Sequence, residues 1–268
     1  LKITSRDNQR LKNARKTRDG KIKDAIFVEG VRLVEEFLRS NLTINEVFYS
    51  EEFAENDRGT TLLEIFLSQN IEVFEVSWQI FNSLSDTKNS QGIVLIAEKP
   101  RNGQEILELN LTNNRKIFPL VLLLHEINNP SNLGAILRTA EAAGVCGIIL
   151  TNNSAKAFSP KALRASMGAA FRLPIWENAD YSEVLYWAKQ NNFTTVCADV
   201  NAKKSYLEID WKKPRLLVFG SEANGLSFDE RNQMDEGLII PMENDVESLN
   251  LAVSCGIILF EAKRQTCN

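Results

Sequence analysis

The sequence predicts an α/β protein in two parts, a small α/β/α unit followed by a larger unit built on a parallel sheet. Three observations lead there. Short apolar runs alternate with helical hydrophobic patterns along the chain. The runs Val121-Leu122-Leu123-Leu124, Leu216-Leu217-Val218-Phe219 and Leu238-Ile239-Ile240 show no polar alternation, as parallel strands covered on both faces do not. Between them and the first unit lie Lys99-Pro100-Arg101-Asn102-Gly103 and Asn113-Asn114-Arg115, turn chemistry that starts a linker near residue 98 and puts the boundary near 105. The expected domains are residues 1–104 and 105–268.

The elements follow in order. A polar, basic segment at 5–18 is expected to be a short helix begun by a Ser or Asp cap. Strands are expected at 26–28, 44–49, 71–76 and 92–97, and helices at 31–38, 61–68 and 78–84. A short helix at 105–109 can sit inside the linker. The second unit opens with a strand at 118–124, then a helix at 132–143 that Gly144 caps. A strand at 147–150, helices at 161–167 and 181–190, and strands at 194–198, 216–219 and 238–240 come next. An amphipathic helix at 249–264 closes the chain.

Composition narrows the function classes. No apolar stretch approaches the roughly 20 residues a spanning helix needs. The opening Leu1-Lys2-Ile3-Thr4-Ser5-Arg6 has no apolar core like that of a signal peptide, so the cytoplasm is the expected location. Cys146, Cys197, Cys255 and Cys267 are scattered, which argues against a disulfide framework, and the single His125 cannot join them in a metal site. The net charge of −4 speaks against nucleic acid, but its distribution does not. Lys2, Arg6, Arg10, Lys12, Arg15, Lys16, Arg18, Lys21 and Lys23 face only Asp7 and Asp19 in that stretch. Such a run can attract phosphate, and it fits a solvated helix face equally well.

Three segments carry the chemistry. They are Asn128-Asn129-Pro130-Ser131-Asn132-Leu133-Gly134-Ala135-Ile136-Leu137-Arg138-Thr139-Ala140, then Phe219-Gly220-Ser221-Glu222-Ala223-Asn224-Gly225-Leu226, then Ile240-Pro241-Met242 with Glu247-Ser248-Leu249-Asn250-Leu251-Ala252-Val253. Each follows an expected strand. Open α/β sheets place ligands at the carboxyl ends of strands, so three such ends suggest one composite site. Neither the dinucleotide glycine pattern nor the phosphate-loop pattern occurs in a matching context. Local readings compete at each position. Arg138 fits a surface arginine on an amphipathic helix, Glu222 fits a turn, and Ser248 fits a helix N-cap. Asn250 has no such ready reason, because asparagine is a poor helix former.

In order, spacing and identity these segments resemble the SpoU (TrmH-like) branch of the SPOUT superfamily of RNA 2′-O-ribose methyltransferases. The resemblance covers roughly the last 150 residues. It implies a SPOUT domain closed by a deep trefoil knot, where general topology rules alone predict an unknotted sheet. It implies S-adenosylmethionine as cofactor and structured RNA as substrate, with ribosomal RNA favoured and transfer RNA possible. It assigns catalysis to Asn132, Arg138, Glu222, Ser248 and Asn250, and cofactor binding to Gly220, Ile240, Met242 and Leu249; no metal is implied. A guanidinium with a pKa above about 12 is a poor base, so Arg138 is expected to stabilise charge instead. A fourth stretch, Lys161-Ala162-Leu163-Arg164-Ala165-Ser166-Met167-Gly168, also resembles the family and makes Arg164 a candidate RNA contact. The first hundred residues, with Glu29-Gly30 and Arg32, look like the family's RNA-binding unit. A homodimer through the second domain is implied, and the stripe Leu251, Val253, Ile257, Ile258, Phe260 is compatible with it or with core packing. Two other readings stay open, a non-catalytic RNA-binding relative and an unrelated Rossmann-type enzyme with a small substrate.

Overall fold

The computed structural model describes residues 1–113, 119–244 and 246–267. The turn expected at Asn114-Arg115 and the strand start expected at Phe118 lie outside the described residues. The described chain divides into two compact units. One is Leu1–Pro100 with Phe158–Phe171, and the other is Arg101–Ala157 with the chain from Arg172 onward.

In chain order the first unit holds β1 (Lys2–Ile3), α1 (Gln9–Arg18), β2 (Ala25–Glu29), α2 (Val31–Leu38), β3 (Ile44–Ser50), α3 (Asp57–Ser68), β4 (Glu72–Val76), α4 (Trp78–Leu84) and β5 (Ile93–Glu98). The sheet order is β1-β4-β3-β5-β2, with β1, β4 and β3 parallel and β5 antiparallel to both β3 and β2. Phe27, Phe48, Phe74, Val94 and Phe81 fill a core beneath α1 and α4. Helix α1 starts one residue after Asn8, whose side chain accepts from Arg10 N, so the cap is neither the Ser nor the Asp expected.

Most of the basic run is spent inside this unit. Arg10 bridges Glu46 and Glu72 at 3.0 and 2.8 Å. Lys2 meets Glu51 and Glu75. Arg18 donates to the carbonyls of Ser83, Leu84 and Ser85, where the end of α4 leaves acceptors unsatisfied. Arg6, Lys16, Lys21 and Lys23 make no side-chain ion pair among the described residues.

The second unit begins with α5 (Gln104–Asn113), longer than the short linker helix expected. Its Leu107 is fully buried, and a Cβ on Gly147 would lie 2.1 Å from the Leu107 side chain, so the helix packs directly on the sheet. Then come β6 (Leu120–Leu124), α6 (Pro130–Ala143) and β7 (Gly147–Thr151). Helices α7 (Pro160–Ser166) and α8 (Ala169–Arg172) follow, and the segment carrying them clusters mostly with the first unit. The chain continues with β8 (Ile175–Ala179), α9 (Tyr181–Gln190), β9 (Thr194–Ala198), β10 (Lys204–Ser205), β11 (Arg215–Phe219), α10 (Phe228–Asn232), β12 (Glu236–Ile239) and α11 (Leu251–Thr266).

Seven strands form one sheet in the order β10-β12-β9-β11-β6-β7-β8, parallel throughout. The residues of β7 and β11 are buried along their whole length, which explains why those runs lack polar alternation. Leu123, Ile149, Leu216, Val218 and Trp187 anchor the core on one face. Gly144 ends α6 in the left-handed region at φ 83°, as expected. Strands β1, β8 and β10 and helices α8 and α10 were not expected from the sequence. No helix among the described residues is long and apolar enough to cross a membrane.

Candidate active site at the carboxyl ends of the parallel strands

Because the strands are parallel, the loops after β6, β11 and β12 leave one edge of the sheet. Strands β6 and β11 are neighbours, but the chain leaves them in opposite directions. From β6 it passes through α6 to β7 on one side; from β11 it passes through α10 to β12, beyond β9 on the other. A reversal of this kind opens a crevice at the strand ends.

The side chains of the three segments meet there. Helix α6 starts with Pro130 behind the cap Asn129, whose Oδ1 accepts from Ser131 N at 2.9 Å and Asn132 N at 3.4 Å. Asn132 is thus set in the first turn. Its Nδ2 donates to Glu222 Oε1 at 3.0 Å, and its Oδ1 accepts from Asn250 Nδ2 at 3.2 Å. The second Glu222 oxygen accepts from Asn128 N at 3.1 Å. A carboxylate can only accept, so Glu222 dictates which way the Asn132 amide faces and leaves its oxygen for Asn250. The result is a relay, Glu222–Asn132–Asn250, that ties together the loops after β11, β6 and β12.

The Glu222 turn is tight. Gly225 N donates to Ser221 O at 2.9 Å, and Gly225 takes φ 64°. A Cβ on Gly220 would lie 2.2 Å from the carbonyl carbon of Gly225, so the turn closes only over a glycine.

Two expectations about the third segment are reversed. Asn250, not Ser248, is the N-cap of α11: its Oδ1 accepts from Ala252 N at 3.0 Å and Val253 N at 3.4 Å. The helix begins at Leu251, so asparagine's poor propensity in helix interiors never applies. Ser248 is exposed in the preceding loop and has no bond to the relay among the described residues. Arg138 is exposed on α6 and likewise unpaired among the described residues. Six residues past Asn132, it sits about 9 Å further along the helix and some 120° around it. The structure therefore brings together Asn132, Glu222 and Asn250 and leaves Arg138 and Ser248 outside their network. Of the remaining candidates, Gly220 is buried, Ile240 and Met242 are half-buried, and Leu249 is 36 % exposed.

A second network lies at the same edge and has no counterpart in the sequence reading. The His125 ring, at the end of β6, contacts Thr151 Oγ1 through Nδ1 at 3.1 Å and Glu230 Oε1 through Nε2 at 3.0 Å. It lies against Tyr181 at a tilt of 50°, with centroids 4.6 Å apart. Burial pushes the Glu230 carboxyl up, but hydrogen bonds from Ser227 and the facing His125 outweigh it and hold the group below the usual carboxylate range. The signal for α10 was in the sequence: Ser227-Phe228-Asp229-Glu230 forms a capping box, with Ser227 N donating to Glu230 Oε2 at 2.7 Å.

Arg164 does not offer itself to a ligand. Within the first unit it reaches Asp86 Oδ2 at 2.6 Å and Glu29 Oε2 at 3.6 Å. Glu29, 3 % exposed, also accepts from Asp86 N and from the hydroxyls of Ser85, Thr87 and Ser90. A buried carboxylate needs such partners, and the arginine is drawn inward to neutralise it.

The chain is similar to known proteins. Residues 119–260 match the SpoU rRNA Methylase family, and residues 27–103 match the RNA 2′-O ribose methyltransferase substrate binding family. A Synechocystis protein described as an uncharacterized tRNA/rRNA methyltransferase is 30 % identical over 98 % of this chain and 93 % of its own length. A 23S rRNA (guanosine-2′-O-)-methyltransferase of Coxiella burnetii is 33 % identical, covering 81 % of this chain and 86 % of its own. The crystal structure of an AdoMet-bound rRNA methyltransferase from Sinorhizobium meliloti superposes with a TM-score of 0.83 at 27 % identity, over 98 % of this chain and 97 % of that one. With a family match across the sheet that bears the three strand ends, and a relative aligned over nearly its whole length, this chain belongs to the SpoU rRNA methylase family.

Proposed function

We propose that this protein transfers the methyl group of S-adenosylmethionine to a ribose 2′-oxygen of RNA, with ribosomal RNA as the substrate. The observation that carries this is the Glu222–Asn132–Asn250 relay at the reversal point of the sheet. Family membership, the Coxiella relative's substrate and the AdoMet-bound Sinorhizobium structure support the same reading.

The residues present fit that cofactor. The Gly220 turn brings bare backbone to the strand end, and Ile240, Met242 and Leu249 present apolar side chains that the core does not fully use. When bound, S-adenosylmethionine would supply an electrophilic methyl on a sulfonium: the 2′-oxygen would bond to that carbon in line as the carbon–sulfur bond breaks, leaving a neutral thioether, with the hydroxyl proton passing to water. The chain's own part is to hold the reactants in that line, an advantage worth up to about 7–11 kcal/mol in a two-substrate transfer. Glu222 fixes the Asn132 amide, Asn250 locks the loop after β12 against it, and the crevice keeps its shape. Arg138, exposed and unspent among the described residues, supplies positive charge for the nucleotide phosphate and the developing 2′-oxyanion. It acts as a cation throughout, because a guanidinium does not deprotonate near neutral pH. The Ser248 hydroxyl is the candidate to orient the ribose.

Residues 1–104 are proposed to choose the RNA and residues 105–268 to carry out transfer, with the trefoil knot of the family formed by the last segment. A homodimer through the second domain is supported by Val253 and Phe260, each about half exposed on α11. The cytoplasm is the proposed location.

The test is transfer of radiolabelled methyl from S-adenosylmethionine to unmodified cellular RNA, with size separation and alkaline digestion. Label is expected in ribosomal RNA, in dinucleotides that resist alkali because the 2′-oxygen is blocked. Label confined to transfer RNA overturns the substrate, and no incorporation into any RNA overturns the activity.

A further inference from the structure

The loop that supplies Asn128 and Asn129 to the site enters through a strained residue. Glu126 takes φ 54°, a left-handed conformation that a residue with a side chain enters only at a cost. Such a conformation persists where its surroundings over-determine it. Here Glu126 N donates to Thr151 Oγ1 at 3.0 Å, Ile127 N to Ser154 Oγ at 3.3 Å, and Ala155 N to Ile127 O at 2.7 Å. Two residues past Glu126, Asn128 N donates to Glu222.

The Thr151 hydroxyl is shared. It accepts from Glu126 N, and its hydrogen is free to donate to Nδ1 of His125. The imidazole then carries its own proton on Nε2, donated to the Glu230 carboxylate, which also accepts from Ser227 N. Every donor in this chain meets an acceptor. The ring therefore joins the ends of β6 and β7 to α10, the helix that follows the Glu222 turn.

We propose that His125 is a positioning residue: by orienting the Thr151 hydroxyl it holds the left-handed turn at Glu126, and so the loop that sets Asn128 and Asn132 against Glu222. This rests on the methyltransferase reading only for its effect on turnover. In this role His125 acts through Thr151 and Glu126 and not through contact with substrate or cofactor.

The two arms of the imidazole can be separated. In His125→Asn the side-chain oxygen can take the place of Nδ1 and accept from Thr151. In His125→Gln the amide can reach Glu230 and not Thr151. His125→Leu has neither. Amide hydrogen exchange of the 126–128 segment, measured by mass spectrometry on the full chain, reports the turn directly. Methyl transfer to RNA reports its consequence. Exchange is expected to rise at least tenfold in His125→Leu and His125→Gln and to return to near wild type in His125→Asn. Turnover is expected to fall 10- to 100-fold in the first two and recover in the third, with KM for the RNA unchanged. Equal protection in all variants overturns the proposal, as does equal loss in all three, which marks His125 as ordinary packing. If wild type transfers no methyl group, the functional reading fails, while the exchange pattern still decides the role of His125.

Discussion

Asn250 performs two tasks with two atoms, so single substitutions can separate stability from catalysis. Its Oδ1 caps α11 and its Nδ2 donates to Asn132. Asn250→Ala removes both. Loss of an N-cap costs about 1 kcal/mol, and loss of an exposed neutral hydrogen bond about 0.5–1 kcal/mol more. For a chain of this size the melting temperature should drop by about 3–6 °C. Asn250→Asp keeps an acceptor at the cap and places negative charge at a helix N-terminus, which contributes about 0.3–1 kcal/mol of stabilisation. It cannot donate, however, and it turns a carboxylate oxygen towards the Asn132 oxygen while Glu222 holds the other end of that amide. The Asp variant should therefore melt within about 2 °C of wild type and transfer methyl about 10- to 100-fold more slowly, equivalent to about 1.4–2.7 kcal/mol in the barrier. Calorimetric melting and the radiolabel assay on the three proteins decide the matter. An Asp variant with wild-type turnover would show that the relay is not needed for transfer; an Ala variant with wild-type melting would refute the capping argument.

Arg138→Ala should leave the melting temperature unchanged, since the side chain is exposed and unpaired among the described residues, while transfer falls by about 100-fold or more; cofactor binding measured by calorimetry should survive, and its loss would place Arg138 in folding or cofactor recognition. Arg164→Ala removes the cation 3.6 Å from the Glu29 carboxylate, which keeps its hydrogen bonds from Ser85, Asp86, Thr87 and Ser90, so unfolding in urea should show a loss of about 1–3 kcal/mol, and the double variant Arg164→Ala/Glu29→Gln should recover part of it; an unchanged midpoint in the single variant rules out a structural charge. Stability should also fall in acid. Glu236, partly desolvated yet held by Lys204 and by Arg215 at 2.5 Å, sits below the ordinary carboxylate value of 4.5, as Glu230 does. A depressed carboxyl stabilises the fold above its unfolded pKa, and that contribution disappears as pH falls through the folded value. Melting should thus decline below about pH 4.5, less steeply in Glu236→Gln, and identical acid profiles for the two proteins would count against the ion pair as its source.

Much of the fold was legible because the signals are local. Helix α9 and strand β9 fall where periodicity places them, since a 3.6-residue or continuous apolar pattern depends only on near neighbours. Strand β8 escaped because it follows Pro174, mixes Trp176 with Glu177 and Asn178, and pairs along one side only, with β7. The two-residue β1 and β10 exist through their partners, with no pattern of their own. At the site, the three segments were visible as polar chemistry after apolar runs, but their internal roles were not. Ser248 and Asn250 are both good capping types, and Asn250 does the capping, because a two-residue difference in where the helix starts is below what propensity resolves.

What the sequence by itself determined is the order of most elements, the family motifs and their position at strand ends. The tertiary structure alone decided which of those residues meet. Asn250 bonds Asn132 across 118 residues, and His125 reaches Glu230 across 105. It also decided which charges serve the fold: Arg10, Arg18 and Arg164 turn inward to acceptors distant in sequence, whereas Arg138 stays exposed. Periodicity and capping are written within a turn or two of chain, but the partner of a polar side chain is set by strand order, and strand order is a property of the assembled sheet.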